Sequence, residues 1–283
     1  MSAGPNSSRQ PDEMTSALIA RADILGRIRA FFSARDVFEV QTPVLGRYTV
    51  TDPDVAGIEV PGYGYLQTSP EYFMKRLLVA GMPDCYQLGP AFRADENGKL
   101  HNSEFTLLEW YRLEFDHEDL MGEVAALIDL VLGPGEFQRV TYAELVGDID
   151  RPRDELDLIF AQACEEITGR SFVVDYPADQ AALARMNTHD ATTAARFELL
   201  IDGVEIANGY WELTDAAEHR TRFAEDLRIR QQRVLPTPEV DRVFLEALET
   251  GLPPCAGVAL GVDRLIMLAL HQTSIDQVLA FRF

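Results

Sequence analysis

An α+β fold with a mainly antiparallel β-sheet flanked by helices is predicted by three features of the sequence. Strand patterns gather in the middle and at the end of the chain instead of alternating one-for-one with helices. Asp202-Gly203, between two such patterns, is a two-residue hairpin signal. No internal repeat or low-complexity linker interrupts residues 15–283, which read as a single domain behind a polar, Ser- and Pro-rich disordered tail, residues 1–14.

Leu18, Ala22, Leu25, Ile28 and Phe32 recur at helical spacing and predict an amphipathic helix over 16–35. A short strand over 37–40 follows, ended by Pro43, and the Gly-, Pro- and Asp-punctuated residues 46–64 read as irregular hairpin structure. Ser69-Pro70-Glu71 is a helix start with Ser69 as N-cap; the helix runs to Ala80, before Gly81. Strands are expected over 85–93 and 103–113, joined by the polar loop 94–100. Helices over 116–132 and 153–168 flank an Arg- and Asp-rich connection, and strands resume over 171–176, 196–201 and 204–213. Helices over 215–234 and 238–249 precede a Gly-Pro turn, a strand near Gly257 and a last helix from Val262.

Composition bounds the function. Of 283 residues 47% are hydrophobic and 25% charged, which supports a packed core and excludes wholesale disorder. Twenty-five basic against 46 acidic residues give a net charge of −21. Such a surface repels phosphate backbones and anionic lipid at long range, which disfavours extended nucleic-acid binding; solubility is its simplest consequence. Three cysteines without a CxxC pair, and five scattered histidines, leave no zinc spacing and suit a reducing cytoplasm. There is no apolar signal-peptide core, and the most apolar late stretch, GVALGVDRLIMLAL, is interrupted by Asp263 and Arg264. Among the basic residues only Lys75 and Lys99 are lysines, a bias that genome composition alone explains.

Three constellations carry chemistry. In the first, Arg93 ends a strand and His101 lies across the loop, while Phe105, Leu107, Glu109 and Tyr111 alternate onto one face of the next strand. Leu107 fits burial, but Glu109 and Tyr111 make that face polar; Thr106, Leu108 and Trp110 lie on the other, to pack on helices. The second is Glu198 and Glu205. The Asp202-Gly203 turn pairs Ile201 with Val204, Leu200 with Glu205 and Glu198 with Ala207, leaving the two carboxylates diagonal on one face, about 7–8 Å apart. They repel unless a cation lies between them, and Mg2+ prefers one or two carboxylates plus phosphate oxygens; an exposed acidic face is the alternative. A bulge at Asn208-Gly209 would bring Asn208 and Glu212 to the same side. The third runs from Gly257 to Arg264. Its glycines allow close backbone approach, and Arg264 in a first helical turn opposes the helix dipole, which calls for an anionic partner such as a phosphate.

The helix-strand-Pro43 segment, FRADENGKLHNSEFTLLEWYR and GVALGVDRLIMLAL resemble motifs 1, 2 and 3 of the class II aminoacyl-tRNA synthetases, motif 1 being the dimer-forming element. Within that class, LQTSPEYFMKRLL and EIANGYWELTD are similar to the lysyl-tRNA synthetase branch. Too few residues precede motif 1 for that branch's anticodon-binding domain. TVTDPDV, TSPEYFMKRLLVAG and YPADQAALAR are similar to its free-standing paralogues, the elongation factor P–(R)-β-lysine ligases. The resemblance extends from Leu18 to Ala280. It implies a cytoplasmic homodimer that uses ATP and Mg2+ to activate (R)-β-lysine or lysine as an adenylate and transfers it to a lysine of elongation factor P.

By the same resemblance Arg93 and Arg264 are catalytic: Arg93 holds the substrate carboxylate and the α-phosphate, and Arg264 lies against the adenine, near the γ-phosphate. Phe105 stacks the adenine, His101 and Asn102 line the triphosphate, and Ala94, Asp95, Glu205, Ile206 and Gly261 complete the ATP site. Glu198 and Glu205 hold Mg2+. Glu212 and Tyr111 receive the ε-ammonium, in a pocket shared with Ser69, Pro70, Glu71, Glu109, Asn208 and Ala259. Ser69 and Ala259 stand where lysyl-tRNA synthetases tend to carry Ala and Gly, swaps the family associates with β-lysine preference. Asp95 departs from the family's Glu by one methylene, with Glu96 beside it as a substitute, and residues 133–170 are shorter than in the ligases. Two other readings remain: a truncated synthetase charging tRNA, or a nucleotide- or amino-acid-binding regulator without ligase activity.

Overall fold

The computed structural model describes residues 11–94 and 96–282. Helix α1 (Pro11–Ser33) starts ahead of Ser16, so residues 11–14 are helix rather than tail; Asp12 and Glu13 complement the dipole of its first turn. The rest of the expected tail, residues 1–10, lies outside the described residues. Strand β1 (Phe38–Glu39) is shorter than predicted because only these two residues find a ladder partner. Within the stretch read as irregular, β2 (Leu45–Gly46), β3 (Ile58–Val60) and β4 (Gly64–Leu66) pair into a small sheet of order β2-β4-β3. Pro70, not Ser69, caps α2 (Glu71–Val79), although the Ser69 hydroxyl still accepts the Glu71 N–H at 3.0 Å.

Strands β5 (Cys85–Phe92) and β6 (Glu104–Leu113) form the expected hairpin. Asp116 caps α3 (His117–Leu132) by accepting from the Glu118 and Asp119 N–H groups. The connection that follows holds an unpredicted strand, β7 (Phe137–Thr141), and the short α4 (Tyr142–Val146), which a Thr141–Glu144 capping box starts. Next come α5 (Arg153–Glu165), β8 (Arg170–Pro177), β9 (Thr193–Ile201) and β10 (Val204–Trp211). Helices α6 (Ala216–Gln232) and α7 (Arg242–Gly251), strand β11 (Cys255–Gly261) and helix α8 (Val262–Ala269) complete the fold.

Eight strands form the main sheet in the order β1-β5-β6-β11-β10-β9-β8-β7, antiparallel except for the outermost pairs β1–β5 and β7–β8. Its two faces differ. Leu108, Trp110, Val258 and Leu260 are buried with α1, α3 and α8, where the Phe32 ring meets Tyr86 at 4.4 Å and Trp110 at 5.3 Å. On the other face two smaller clusters stand apart. Tyr72, Phe223 and Phe244 join α2, α6 and α7, while Tyr142, Leu156 and Val173 join α4, α5 and β8. The strands between those clusters are the floor of a cleft.

The β9–β10 hairpin corrects the expected register. Glu205 pairs with Leu200 but Ala207 pairs with Leu199, so Ile206 is the extra residue of a bulge and Glu198 faces Asn208 rather than Ala207. The bulge therefore precedes Asn208-Gly209. It reverses the alternation of β10, so that Asn208 and Tyr210 share the cleft face with Glu205, where an unbroken strand would put Ala207 and Gly209.

The fully buried Phe32 ring couples α1 to the sheet. Phe32→Ala should cost about 3–5 kcal/mol of unfolding free energy. Urea denaturation followed by circular dichroism measures it, and a loss below about 1 kcal/mol would show that this layer does not hold the sheet.

Candidate active site

Register places the site. Gln87, Glu109, Ala259, Asn208 and Glu198 face one another across β5, β6, β11, β10 and β9, and Cys85, Tyr111, Gly257, Tyr210 and Arg196 form the adjacent row. Residues far apart in sequence are thereby brought about 4.8 Å apart per strand step. Above these rows lies a cavity of about 1010 Å³. That volume is at the upper end of the range for small-molecule sites, about 300–1,000 Å³.

One end of the cavity is acidic. Glu71, Glu109 and Glu212 converge there around Lys75, which is wholly buried and lies 2.6 Å from both Glu71 Oε1 and Glu212 Oε2. Burial alone would lower the Lys75 pKa, but the Glu212 and Glu71 charges outweigh it and raise it, so the amine stays protonated. Glu109 accepts from Ser69 Oγ at 2.8 Å and from the Tyr111 hydroxyl at 2.7 Å. Desolvation, reinforced by the Glu71 charge, still pushes Glu109 up to about 8. Glu212 rises to about 7, again by burial, with Lys75 opposing the rise. Three carboxyl groups around one internal cation leave an acidic pocket that a further ammonium would help to neutralise. Gly257 keeps it open: a Cβ there would meet Tyr111 Cε1 at 2.3 Å and Glu212 Oε1 at 2.5 Å.

The other end is cationic. Arg93 lies over the Phe105 ring at 5.2 Å and reaches Glu96 Oε1 at 3.5 Å. Arg264, in the first turn of α8, contacts His101 Nε2 at 2.6 Å and donates to the backbone carbonyls of Glu205 and Leu100. Burial and the Arg264 charge lower the His101 pKa, so this ring adds no positive charge at neutral pH. Among the described residues, Arg93 Nε, Asn102 Oδ1 and Asn208 Oδ1 are buried without hydrogen-bond partners, and all three residues line the cavity. Unpaired buried polar atoms of this kind mark places where a ligand supplies the missing partner. Behind Arg264, Asp263 binds Arg21 at 2.7 Å and the Thr106 N–H at 2.8 Å, fixing α8 against α1 and β6.

The carboxylate pair is asymmetric. Glu205 borders the cavity and is half-exposed, whereas Glu198 is buried and its Oε1 accepts from Arg196 at 2.5 Å and Asn208 at 3.1 Å. Burial raises the Glu198 pKa; Arg196 opposes the rise and the Glu205 charge adds to it. A divalent cation beside the pair would relieve that repulsion, with Glu205 as the carboxylate that borders the cavity and Glu198 held by Arg196 and Asn208 behind it.

Of the residues singled out in the sequence, Pro70, Ala94 and Glu198 lie off the cavity wall: Pro70 caps α2, the Ala94 N–H binds the Ala56 carbonyl, and Glu198 sits behind Asn208. Asp95 lies outside the described residues. Ser69, Glu71, Glu109, Tyr111, Asn208, Glu212, Ala259, Ile206 and Gly261 all line the cavity. Sequence reasoning missed Lys75, Arg196 and Tyr210. It also missed Arg230, whose buried guanidinium donates to the Thr51, Asp52, Val55 and Pro236 carbonyls and so holds the wall formed by residues 51–55. Lys75 did carry a signal, as one of two lysines in an arginine-rich chain.

A family model described as tRNA synthetases class II (D, K and N) matches residues 8–282. The elongation factor P–(R)-β-lysine ligase of Vibrio cholerae is 44% identical, over 98% of this chain and 98% of that protein. The ligase of the same name from Vibrio atlanticus is 42% identical, over 98% and 99%, and that of Yersinia enterocolitica 40%, over 97% of each. No helix among the described residues is long and apolar enough to cross a membrane.

Lys75→Met strands the buried Glu212 and removes the partner of the part-buried Glu71, and should destabilise the fold by about 3–5 kcal/mol at neutral pH. The deficit should shrink in acid, where Glu212, already raised to about 7, takes up a proton instead. Denaturation midpoints of both proteins at neutral and acidic pH test this, and an unchanged midpoint at neutral pH would refute the role given to Lys75.

Proposed function

The chain belongs to the class II tRNA synthetases (D, K and N), and from that premise we propose that it is an ATP-dependent ligase that activates (R)-β-lysine, or lysine, and transfers it to a lysine side chain of elongation factor P. The observation that carries this reading is the adjacency, in one cavity, of a three-carboxylate ammonium pocket and two arginines. A molecule with an ammonium at one end and a carboxylate at the other would direct its carboxylate toward Arg93 when its ammonium lies among the three carboxyl groups. In the first half-reaction the carboxylate attacks the α-phosphorus of ATP, and pyrophosphate leaves. In the second, a neutral acceptor amine attacks the adenylate carbonyl, loses a proton and displaces AMP.

The residues act by positioning and by charge neutralisation. Glu212 and Tyr111 hold the distal ammonium; Glu71, Glu109, Ser69 and Asn208 shape the pocket, with the Ala259 methyl on its floor. Arg93 and Arg264 offset phosphate charge, and Phe105 with Arg93 above it presents a flat surface for the adenine. Glu198 and Glu205 would hold Mg2+, which supplies further neutralisation of the polyphosphate. The same reading includes action in the cytoplasm and a homodimer formed through the motif 1 segment, where Phe38, Val44 and Leu45 are exposed.

ATP–pyrophosphate exchange with lysine and (R)-β-lysine tests activation. Arg264→Ala and Glu205→Gln should each slow exchange about 10²–10³-fold in a folded protein; exchange at the wild-type rate would remove the assignment. Offered labelled β-lysine, ATP and either purified elongation factor P or total tRNA, the enzyme should label the protein, and label on tRNA alone would favour the truncated synthetase.

The pH dependence has a definite sign. Glu109 and Glu212 ionise around pH 8 and 7, and an ammonium binds their ionised forms, so the KM for the amino acid should fall as pH rises from about 6 to about 8. Exchange kinetics across that range check it; a KM that is flat or climbs contradicts the charge assignment.

A further inference from the structure

We propose that the segment after α8, residues 274–282, is a brace for the loop 98–101 on the nucleotide side of the cavity, with Arg282 as a positioning residue for ATP. This inference rests on the reading that ATP lies against Arg93, His101 and Arg264. Four consecutive loop carbonyls are held from the C-terminal side. Gly98 O accepts from Arg282 Nη2 at 2.9 Å, Lys99 O from the Ile275 N–H at 3.0 Å, Leu100 O from Arg264 Nε at 3.2 Å, and His101 O from Arg282 Nη2 at 3.3 Å.

The brace is itself anchored. Ile275 and Val278 are buried in the main core beside α8, and Ser274 caps the short turn Ile275–Gln277. Arg282 is held through Nη1 by both Asp276 carboxylate oxygens, at 2.7 and 3.0 Å, which leaves Nη2 directed at the loop. Arg282 does not line the main cavity, so it acts through the loop and not on the ligand.

Apart from these bonds the loop is ordered by the narrow bridge between Gly98 and His101 and by Leu100 against the main core, while Lys99 is exposed. A loop free to move must give up backbone freedom whenever ligand binds, and fixing it beforehand removes that cost from binding. Arg264, taken here as a catalytic group, grips the same carbonyl row. The brace therefore holds Arg264 and His101 in one arrangement before nucleotide arrives.

Arg282→Ala should raise the KM for ATP about tenfold while the KM for the amino acid stays within about twofold. Arg282→Lys, which keeps one donor, should recover part of the loss. Trypsin should cut after Lys99 faster in the Ala variant. Titration calorimetry with a non-hydrolysable ATP analogue gives a second readout that needs no turnover. Unchanged nucleotide affinity and unchanged cleavage at Lys99 would overturn the proposal, as would equal losses in every kinetic parameter together with a lowered Tm. A wild-type protein that binds the analogue but exchanges no pyrophosphate would instead refute the ligase reading and leave the brace to be judged by binding.

Discussion

Three carboxylates share one buried pocket, and the ion pair that makes this tolerable is Lys75 between Glu71 and Glu212. Burying like charges together is costly unless a cation sits among them. An internal ammonium settles only part of that charge, and the remainder is what the pocket offers to a ligand. Lysine suits the position better than arginine: a compact point charge meets two carboxylates from the middle of α2, where a planar fork would need a wider gap. Glu71 and Lys75 lie one helical turn apart on α2, so the helix delivers both partners at once.

The sheet supplies the rest by arithmetic of register. Glu109 on β6, Ala259 on β11 and Asn208 on β10 are neighbours because antiparallel ladders hold them in one row. Glu212, just past the end of β10, completes the pocket through its hydrogen bond to the Cys255 carbonyl. All of this depends on the single extra residue at Ile206, without which Asn208 and Tyr210 would face the helical layer. The apolar face below, with Phe32, Trp110 and the α8 residues, is what makes the upper face rigid enough to hold such a constellation.

Much of this was legible in the sequence. The alternation Phe105, Leu107, Glu109, Tyr111 marked the cleft face of β6, and Asp202-Gly203 set the first two pairs of its hairpin correctly. The bulge was anticipated but misplaced, because counting residues cannot say which of several is extra; the nearby Asn-Gly pair drew attention from an isoleucine. Strand β7 escaped because it is a parallel edge strand with Gln138 and Arg139 exposed, and parallel pairing leaves no hairpin turn to announce it. Ser69 has the residue type of a cap, yet its hydroxyl also serves Glu109, a partner visible only in three dimensions. Arg196 is an ordinary charge in sequence and becomes special through its part-buried pairing with Glu198.

The scarcity of lysine has a chemical consequence. Aminoacyl adenylates acylate amines without discrimination when they escape an active site, and an enzyme of the proposed kind would be the amine source nearest to its own product. In this chain Lys75 is fully buried and held protonated between two carboxylates, so its nitrogen offers no lone pair to an electrophile. Lys99 is then the lone lysine whose side chain reaches solvent. Whatever set the arginine bias, it leaves a protein with a single exposed lysine amine on which to damage itself.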